Sequence, residues 1–292
     1  MDVVITYVNG NDPLWQQDYA AAVGGRALTK RFRDWGTLIY VFRGIAEHMP
    51  YVRKVHLVVS RESQVPSWVD RSKVQVVTHS DFIPADKLPL FNSGAIETFL
   101  HLIPGLDEEF VYFNDDFFPV RDTLESDFFR EGKAAASFHR AVFRGNMYKR
   151  HCQLSDALAR KASHLPPRVV YRRPQHACGA LLRSVCEELY EKEKDDLLAH
   201  VFPLRVMDNY NYYLYVDYAF YQGRTFGRKV SNKHFSTAVA SIAGVCSFLK
   251  HPTADFVCIN DVEMPEEKYE AYRDALLSCF GSILPEKSPY EL

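Results

Sequence analysis

An apolar run that stops at three oxygen-bearing side chains limits the choice of fold more than any other stretch of this sequence. In Phe110-Val-Tyr-Phe-Asn-Asp-Asp-Phe-Phe118, four consecutive β-branched or aromatic residues give way at once to Asn114, Asp115 and Asp116. A continuous apolar run, unlike an alternating one, fits a strand covered on both faces, as in a parallel sheet. Ligands in open α/β sheets gather outside the carboxyl ends of the strands, and the three polar residues fall at that end. Oxygen ligands, two of them anionic, suit a hard divalent cation such as Mg²⁺ or Mn²⁺. An ordinary acidic turn would use the same residue types.

The run Phe256-Val-Cys-Ile-Asn-Asp261 repeats the pattern. If the two strands are neighbours, Asp115, Asp116, Asn260 and Asp261 converge on one crevice. At the start of the chain, a β-rich run from Asp2 to Val8 enters the turn cluster Asn9-Gly-Asn-Asp-Pro13. Asp12 is placed to cap a helix opening at Pro13, and the loop would offer backbone N–H groups to a phosphate. Arg31 and Arg33 lie just ahead of a helical pattern from about Gly36 to His48, and arginine grips phosphate through paired donors. Strands are expected over Val52–Val59 and Lys73–Thr78. Asn92 or Ser93 begins a helix expected to run through Leu102, with Glu97 and His101 on one face. From about Asp127 to Leu204 the pattern reads as helical and irregular, with a charged helix face over Glu187–Asp196. A tyrosine-dense helix spans Asp208 to Tyr221, and a final helix runs from Pro265 to Phe280. The expected architecture is one α/β domain over 1–292, with a Rossmann-like, mostly parallel sheet flanked by helices and a more helical, variable segment at about 121–204.

The chain's 35 basic and 37 acidic residues nearly cancel, which argues against a general nucleic-acid surface. Six cysteines without a C-x-x-C pair fit a reduced, cytoplasmic chain. No run of about 18 apolar residues is present. A soluble protein is therefore expected, with peripheral association at the inner face of a membrane still compatible.

Four blocks in order resemble the conserved regions of the Stealth family of sugar-phosphate transferases. The first is Asp2 to Pro13. The second runs from Arg31-Phe-Arg-Asp-Trp-Gly36 through Leu88-Pro-Leu-Phe-Asn-Ser-Gly-Ala-Ile-Glu97 to Tyr112-Phe-Asn-Asp-Asp116. The third extends from Gln175-His176 through Phe202-Pro-Leu-Arg205 to the tyrosine-rich helix. The fourth pairs Cys258-Ile-Asn-Asp261 with Leu284-Pro-Glu-Lys-Ser-Pro-Tyr-Glu291. Tyr7 departs from the family's usual Trp. The resemblance implies transfer of a sugar 1-phosphate from a UDP-sugar donor to a saccharide acceptor, with release of UMP, in capsule or other cell-surface polysaccharide synthesis. It implies Asp116, His176 and Arg205 as catalytic residues. Asn9, Asp12, Arg31, Arg33, Asn92, Glu97 and Asn114 become candidates for substrate contact, and Asp115, Asp116, Asn260 and Asp261 for metal.

On chemical grounds His176 is placed to remove the acceptor's proton or to form a phosphohistidine. Two other functions stay open. A metal-dependent glycosyltransferase would release UDP, and a saccharide-binding domain would use the tyrosines alone.

Overall fold

The computed structural model describes residues 1–25, 32–142, 145–262 and 264–292. Strand β1 (Asp2–Thr6) holds Val3, Val4 and Ile5 fully buried. Asp12 caps helix α1 (Pro13–Val23) by accepting from Leu14 N at 2.9 Å, with Pro13 in the first turn. The helix stops at Gly24, whose φ of 67° suits glycine. Helix α2 (Leu38–His48) buries the stripe Leu38, Val41, Phe42 and Ile45. Strands β2 (Lys54–Val59) and β3 (Val74–Thr78) follow, then the short helix α3 (Ser93–Glu97).

Only Asp115 and Asp116 separate β4 (Glu109–Asn114) from β5 (Phe117–Pro119). Beyond them come β6 (Phe129–Arg130), β7 (Lys133–Ala136), β8 (Phe138–Ala141) and helix α4 (Met147–Ala162). Strands β9 (Tyr171–Pro174) and β10 (Gly179–Leu182) lead to helices α5 (Arg183–Lys192), α6 (Lys194–Ala199) and α7 (Tyr213–Tyr221). The chain continues through β11 (Thr225–Gly227), β12 (Asn232–Ser236), α8 (Ile242–Lys250), β13 (Phe256–Asn260) and α9 (Glu266–Ile283).

The fold is α/β, with a parallel-strand sheet flanked by helices. The five-stranded sheet has the order β10-β4-β1-β2-β3, and β10 joins β4 antiparallel. Phe110 to Phe113 of β4 are at most 1% exposed, which accounts for their unbroken apolar run.

Three expectations are corrected. The stretch read as helical from Asp127 to Leu204 contains strands β6 to β10 beside its helices. These strands are two to four residues long and include Lys133-Ala-Ala-Ala136 and Tyr171-Arg-Arg-Pro174, which carry little β preference of their own. Pairing with distant partners makes them strands. The helix from Ser93 stops at Glu97, and a separate 3₁₀ turn covers Leu100–Leu102. Glu97 and His101 therefore do not share a helix face; both are buried. The tyrosine-rich helix begins at Tyr213, leaving Tyr210 and Tyr212 in the approach to it.

Two compact units divide the chain: residues 1–4, 77–112 and 126–230, and residues 5–76, 113–125 and 231–292. In the first, α4 packs on α7 and β9, β11 and β6 flank β7, and β8 pairs with β9. In the second, β13 lies between parallel β12 and antiparallel β5. Helix α2 crosses β5 at Gly44, where a Cβ would come within 2.5 Å of the Pro119 carbonyl oxygen. Arg43 on the same helix holds both carboxylate oxygens of Glu291, at 2.9 and 2.8 Å. Among the described residues no helix is long and apolar enough to cross a membrane.

Candidate active site

The second unit brings the two Asn-Asp ends together, through β5 and not β4. Strand β13 pairs with β5 in the register Cys258 opposite Phe117, and Ile259 N donates to the Asp116 carbonyl at 3.0 Å. The ladder carries Asn260 and Asp261 to the turn that holds Asp115 and Asp116. Burial pushes the Asp115 carboxyl up to about 8, and Asp116, Asp34 and Asp261 add to the shift by repulsion. Burial also lifts Asp116, to about 6, against hydrogen bonds from Cys258 and Asn260. The Cys258 thiol donates to Asp116 Oδ2 at 3.5 Å. Asp261 is raised by burial, while Trp35 and Arg33 oppose the rise. One oxygen on each of Asp116 and Asp261 is buried without a hydrogen-bond partner. Like charges held out of water with oxygens unmet are costly unless a cation or a proton joins them.

Arg33 stands beside this cluster. Its Nη2 donates to Glu266 Oε2 at 2.8 Å and to the Met264 carbonyl at 3.3 Å, and its guanidinium lies 4.4 Å from the centre of the Tyr269 ring. Its buried Nη1 has no partner. Arg31 lies outside the described residues. Asn9 and Asp12 hold the fold of the first loop and tie it to Ser63 and Gln64: Asn9 Oδ1 accepts from Asn11 N, and Asp12 accepts from Leu14 N, Ser63 Oγ and Gln64 Nε2. Asn114, the last residue of β4, is half-buried.

The first unit assembles the other candidates around α3. Glu97 is buried and accepts from Tyr212 N at 2.9 Å and from the Tyr112 hydroxyl at 3.1 Å. Burial raises its carboxyl against those two bonds and the field of Arg205. Arg205 Nη2 donates to Ser93 Oγ at 2.7 Å. Asn92 does not cap α3; its Nδ2 reaches the carbonyls of Phe202 and Leu204 at 3.3 Å each, and its Oδ1 is buried without a partner. By fixing Tyr212, Glu97 sets the start of α7, and the next residue carries the arrangement onward. Tyr213 Oη lies 3.0 Å from His176 Nδ1, and the Tyr148 hydroxyl donates to Tyr213 Oη at 3.4 Å. The imidazole of exposed His176 also meets the Tyr148 ring edge-on at 5.9 Å.

Sequence reasoning missed Asp34, Trp35, Tyr148 and Tyr213. Asp34 and Trp35 lie in the Arg31–Gly36 block, where the arginines alone carry a local signal for phosphate. Tyr213 stood in the tyrosine-rich segment; nothing local distinguished it from its buried neighbours.

Residues 31–137 match the profile of Stealth protein CR2, conserved region 2. The capsular polysaccharide phosphotransferase WcwK of Streptococcus pneumoniae is 28% identical to the chain over 334 aligned positions, which cover all of this chain and 99% of that protein. The exopolysaccharide phosphotransferase SCO6023 of Streptomyces coelicolor is 30% identical, and the alignment covers all of this chain and 52% of SCO6023. Among solved structures, the galactosyltransferase LgtC, determined with donor and acceptor sugar analogues, superposes with a TM-score of 0.43 at 12% identity, covering 97% of this chain and 96% of LgtC. The sequence relatives place the chain among enzymes, as a sugar phosphotransferase. The chain is similar to Stealth-family phosphotransferases over its whole length, and residues 31–137 carry that family's second conserved region.

Proposed function

We propose that this chain transfers a sugar 1-phosphate, N-acetylhexosamine 1-phosphate, from a UDP-sugar to a saccharide hydroxyl in the synthesis of capsule or another cell-surface polysaccharide. Residues 1–292 serve this one activity. The acceptor oxygen forms a bond to the β-phosphorus, the bond from that phosphorus to the bridging oxygen breaks, and UMP leaves. The observation that carries this reading is the group of Asp115, Asp116 and Asp261, half-buried together, with one oxygen each of Asp116 and Asp261 fully buried and unpartnered.

That donor set fits Mg²⁺ or Mn²⁺: hard oxygen ligands, carboxylates raised for want of positive charge, and Asn260 beside them. A bound ion would supply charge neutralisation at the diphosphate. The remaining roles fall to the protein's own groups. Arg33, with Nη1 uncommitted, suits a phosphoryl oxygen. His176 takes the proton of the acceptor hydroxyl, its ring held through Nδ1. Arg205, tied at one nitrogen to Ser93, has further N–H donors for the substrate's phosphate or saccharide. The protein works in the cytoplasm, associated peripherally with the inner face of the membrane.

The test is the nucleotide released from UDP-N-acetylhexosamine with Mg²⁺ and a saccharide acceptor. UMP from the wild type, lost in Asp116→Ala and in His176→Ala, is the expected outcome. UDP as sole product would replace this reading with glycosyl transfer. Saccharide binding without turnover, unchanged in Asp116→Ala, would leave a binding domain.

A further inference from the structure

Charge is divided unevenly along this nearly neutral chain. Residues 132–186 contain eleven Lys and Arg and one acidic residue, Asp156, while the rest holds 24 basic and 36 acidic residues. Asp156 is buried and accepts from the Tyr221 hydroxyl, so it offers no surface charge. Several of the cations are engaged locally. Arg150 pairs with Asp208, Lys161 with Glu193 and Asp196, and Arg183 with Glu187, while Arg160 holds the Pro166 carbonyl. Arg140 and Arg168 are exposed and have no ion-pair partner among the described residues.

The β8–β9 ribbon sharpens this imbalance. Its register sets Arg140 opposite Arg172 and His139 opposite Arg173. Like charges directly across a strand pair are destabilising. Arg172 is answered from within by the fields of Asp156 and Asp217 and by the Phe220 ring 3.9 Å away, which leaves exposed Arg140 as the outward charge of the pair. The ribbon also ends in apolar residues. Ala141 pairs with Tyr171, and beyond that pair Val142 is 50% exposed, Val170 46% and Val169 74%. Leu165, in the same exposed run that holds Arg168, is 38% exposed. Single exposed apolar residues are ordinary. Three valines at one tip, flanked by unpaired arginines and free of acidic neighbours in sequence, combine the two elements of peripheral membrane binding: apolar insertion and attraction to anionic headgroups.

We propose that the tip of the β8–β9 ribbon, with Val142, Val169 and Val170 inserted and Arg140 and Arg168 on the headgroups, docks this protein on an anionic lipid bilayer. A soluble polyanion would satisfy the arginines and leave the valines in water, so the valines favour the bilayer. The proposal rests on peripheral membrane association and not on the transfer chemistry.

Co-sedimentation of the full chain with vesicles of equal parts phosphatidylglycerol and phosphatidylcholine, against phosphatidylcholine alone, tests it. Binding to the anionic vesicles only, weakened by raised salt, is expected. Arg140→Gln and Arg168→Gln should each lower partitioning about fivefold. The triple change Val142→Asp, Val169→Asp, Val170→Asp should abolish it, with UMP release on a soluble acceptor unchanged. A wild type that stays in solution with anionic vesicles overturns the docking and the membrane association together. A wild type that sediments, with variants that sediment equally well, overturns this surface and leaves membrane association standing. Valine variants that bind like the wild type, with binding competed by a soluble anionic polysaccharide, overturn it in favour of a polysaccharide track.

Discussion

Two loops of the second unit look alike in sequence and are opposite in physics. Both close a buried strand, and both are rich in Asn and Asp: Asn9 to Asp12 after β1, and Asn114 to Asp116 at the end of β4. Burial would lift the Asp12 carboxyl, yet bonds from Ser63, Gln64 and Leu14 outweigh it and hold the group below its ordinary value. Asp116 accepts from Cys258 and Asn260, yet burial and the repulsion of Asp261 outweigh those bonds, and it rises to about 6. Donor supply, not acidity or position after a strand, separates a carboxylate that builds the fold from one available to a ligand. Gln64, 52 residues from Asp12, makes much of the difference.

Substitution should break the likeness most sharply. Asp116→Ala is expected to cut UMP release by about 10²–10³-fold, the scale for losing one charge-stabilising group, while the melting temperature holds or rises because a repelled carboxylate is gone. Asp12→Ala should do the reverse. It should keep turnover and lose about 1 kcal/mol of stability with the cap, roughly 2 °C in melting temperature.

Divalent ion should separate the two loops next. Saturating Mg²⁺ or Mn²⁺, at about 100 times its dissociation constant, would stabilise the wild type by about 2.7 kcal/mol in thermal unfolding. The same ion should do nothing for Asp116→Asn and should stabilise Asp12→Ala in full.

The two loops should also respond to pH with opposite sign. Asp115 and Asp116 are raised in the fold above an ordinary value of 3.8. Their contribution without divalent ion is most favourable below about pH 4 and declines as pH rises toward 6 and then 8. Asp12 is depressed, so its contribution is present above 3.8 and is lost as pH falls through its lower folded value. Chemical denaturation of the metal-free wild type, Asp12→Ala and Asp116→Asn between pH 3 and 9 would separate the two. Identical pH profiles for the three proteins would refute the contrast.

His176 stands between these extremes, held at one ring nitrogen by Tyr213. Tyr213→Phe should lower kcat about 10-fold, a fraction of the 10²–10⁴ that a positioned base supplies. It should also move the acidic limb of the pH–rate profile, leaving KM near its original value. A purely structural hydroxyl would lower stability and leave that limb in place.

The elements legible in the sequence were those whose signal is local. β1, β2, β3, β4 and β13 are apolar runs, α1 carries its cap and proline, and α2 shows its buried stripe. The strands of residues 127–204 were not, because alanines and arginines in β7 and β9 become strand only through β11, β6 and β8. Helix α3 ends early where the Glu97 carboxylate is drawn to Tyr212, a partner 115 positions away. The same rule governs the candidate site. Asn114, Asp115, Asp116, Asn260 and Asp261 could be picked out because each closes an apolar run. Asp34 and Tyr213 could not, since what marks them is a neighbour far along the chain.

The seat of α2 on β5 bears on how variants of this protein are to be interpreted. Position 44 touches no candidate substrate or metal group, and glycine to alanine on a helix usually counts as benign or even helpful. Here the added methyl meets the carbonyl of Pro119, three residues beyond Asp116. A survey of tolerated changes would then score Gly44 among the residues the enzyme cannot spare, and conservatism of the amino-acid exchange would be a poor guide to its harm.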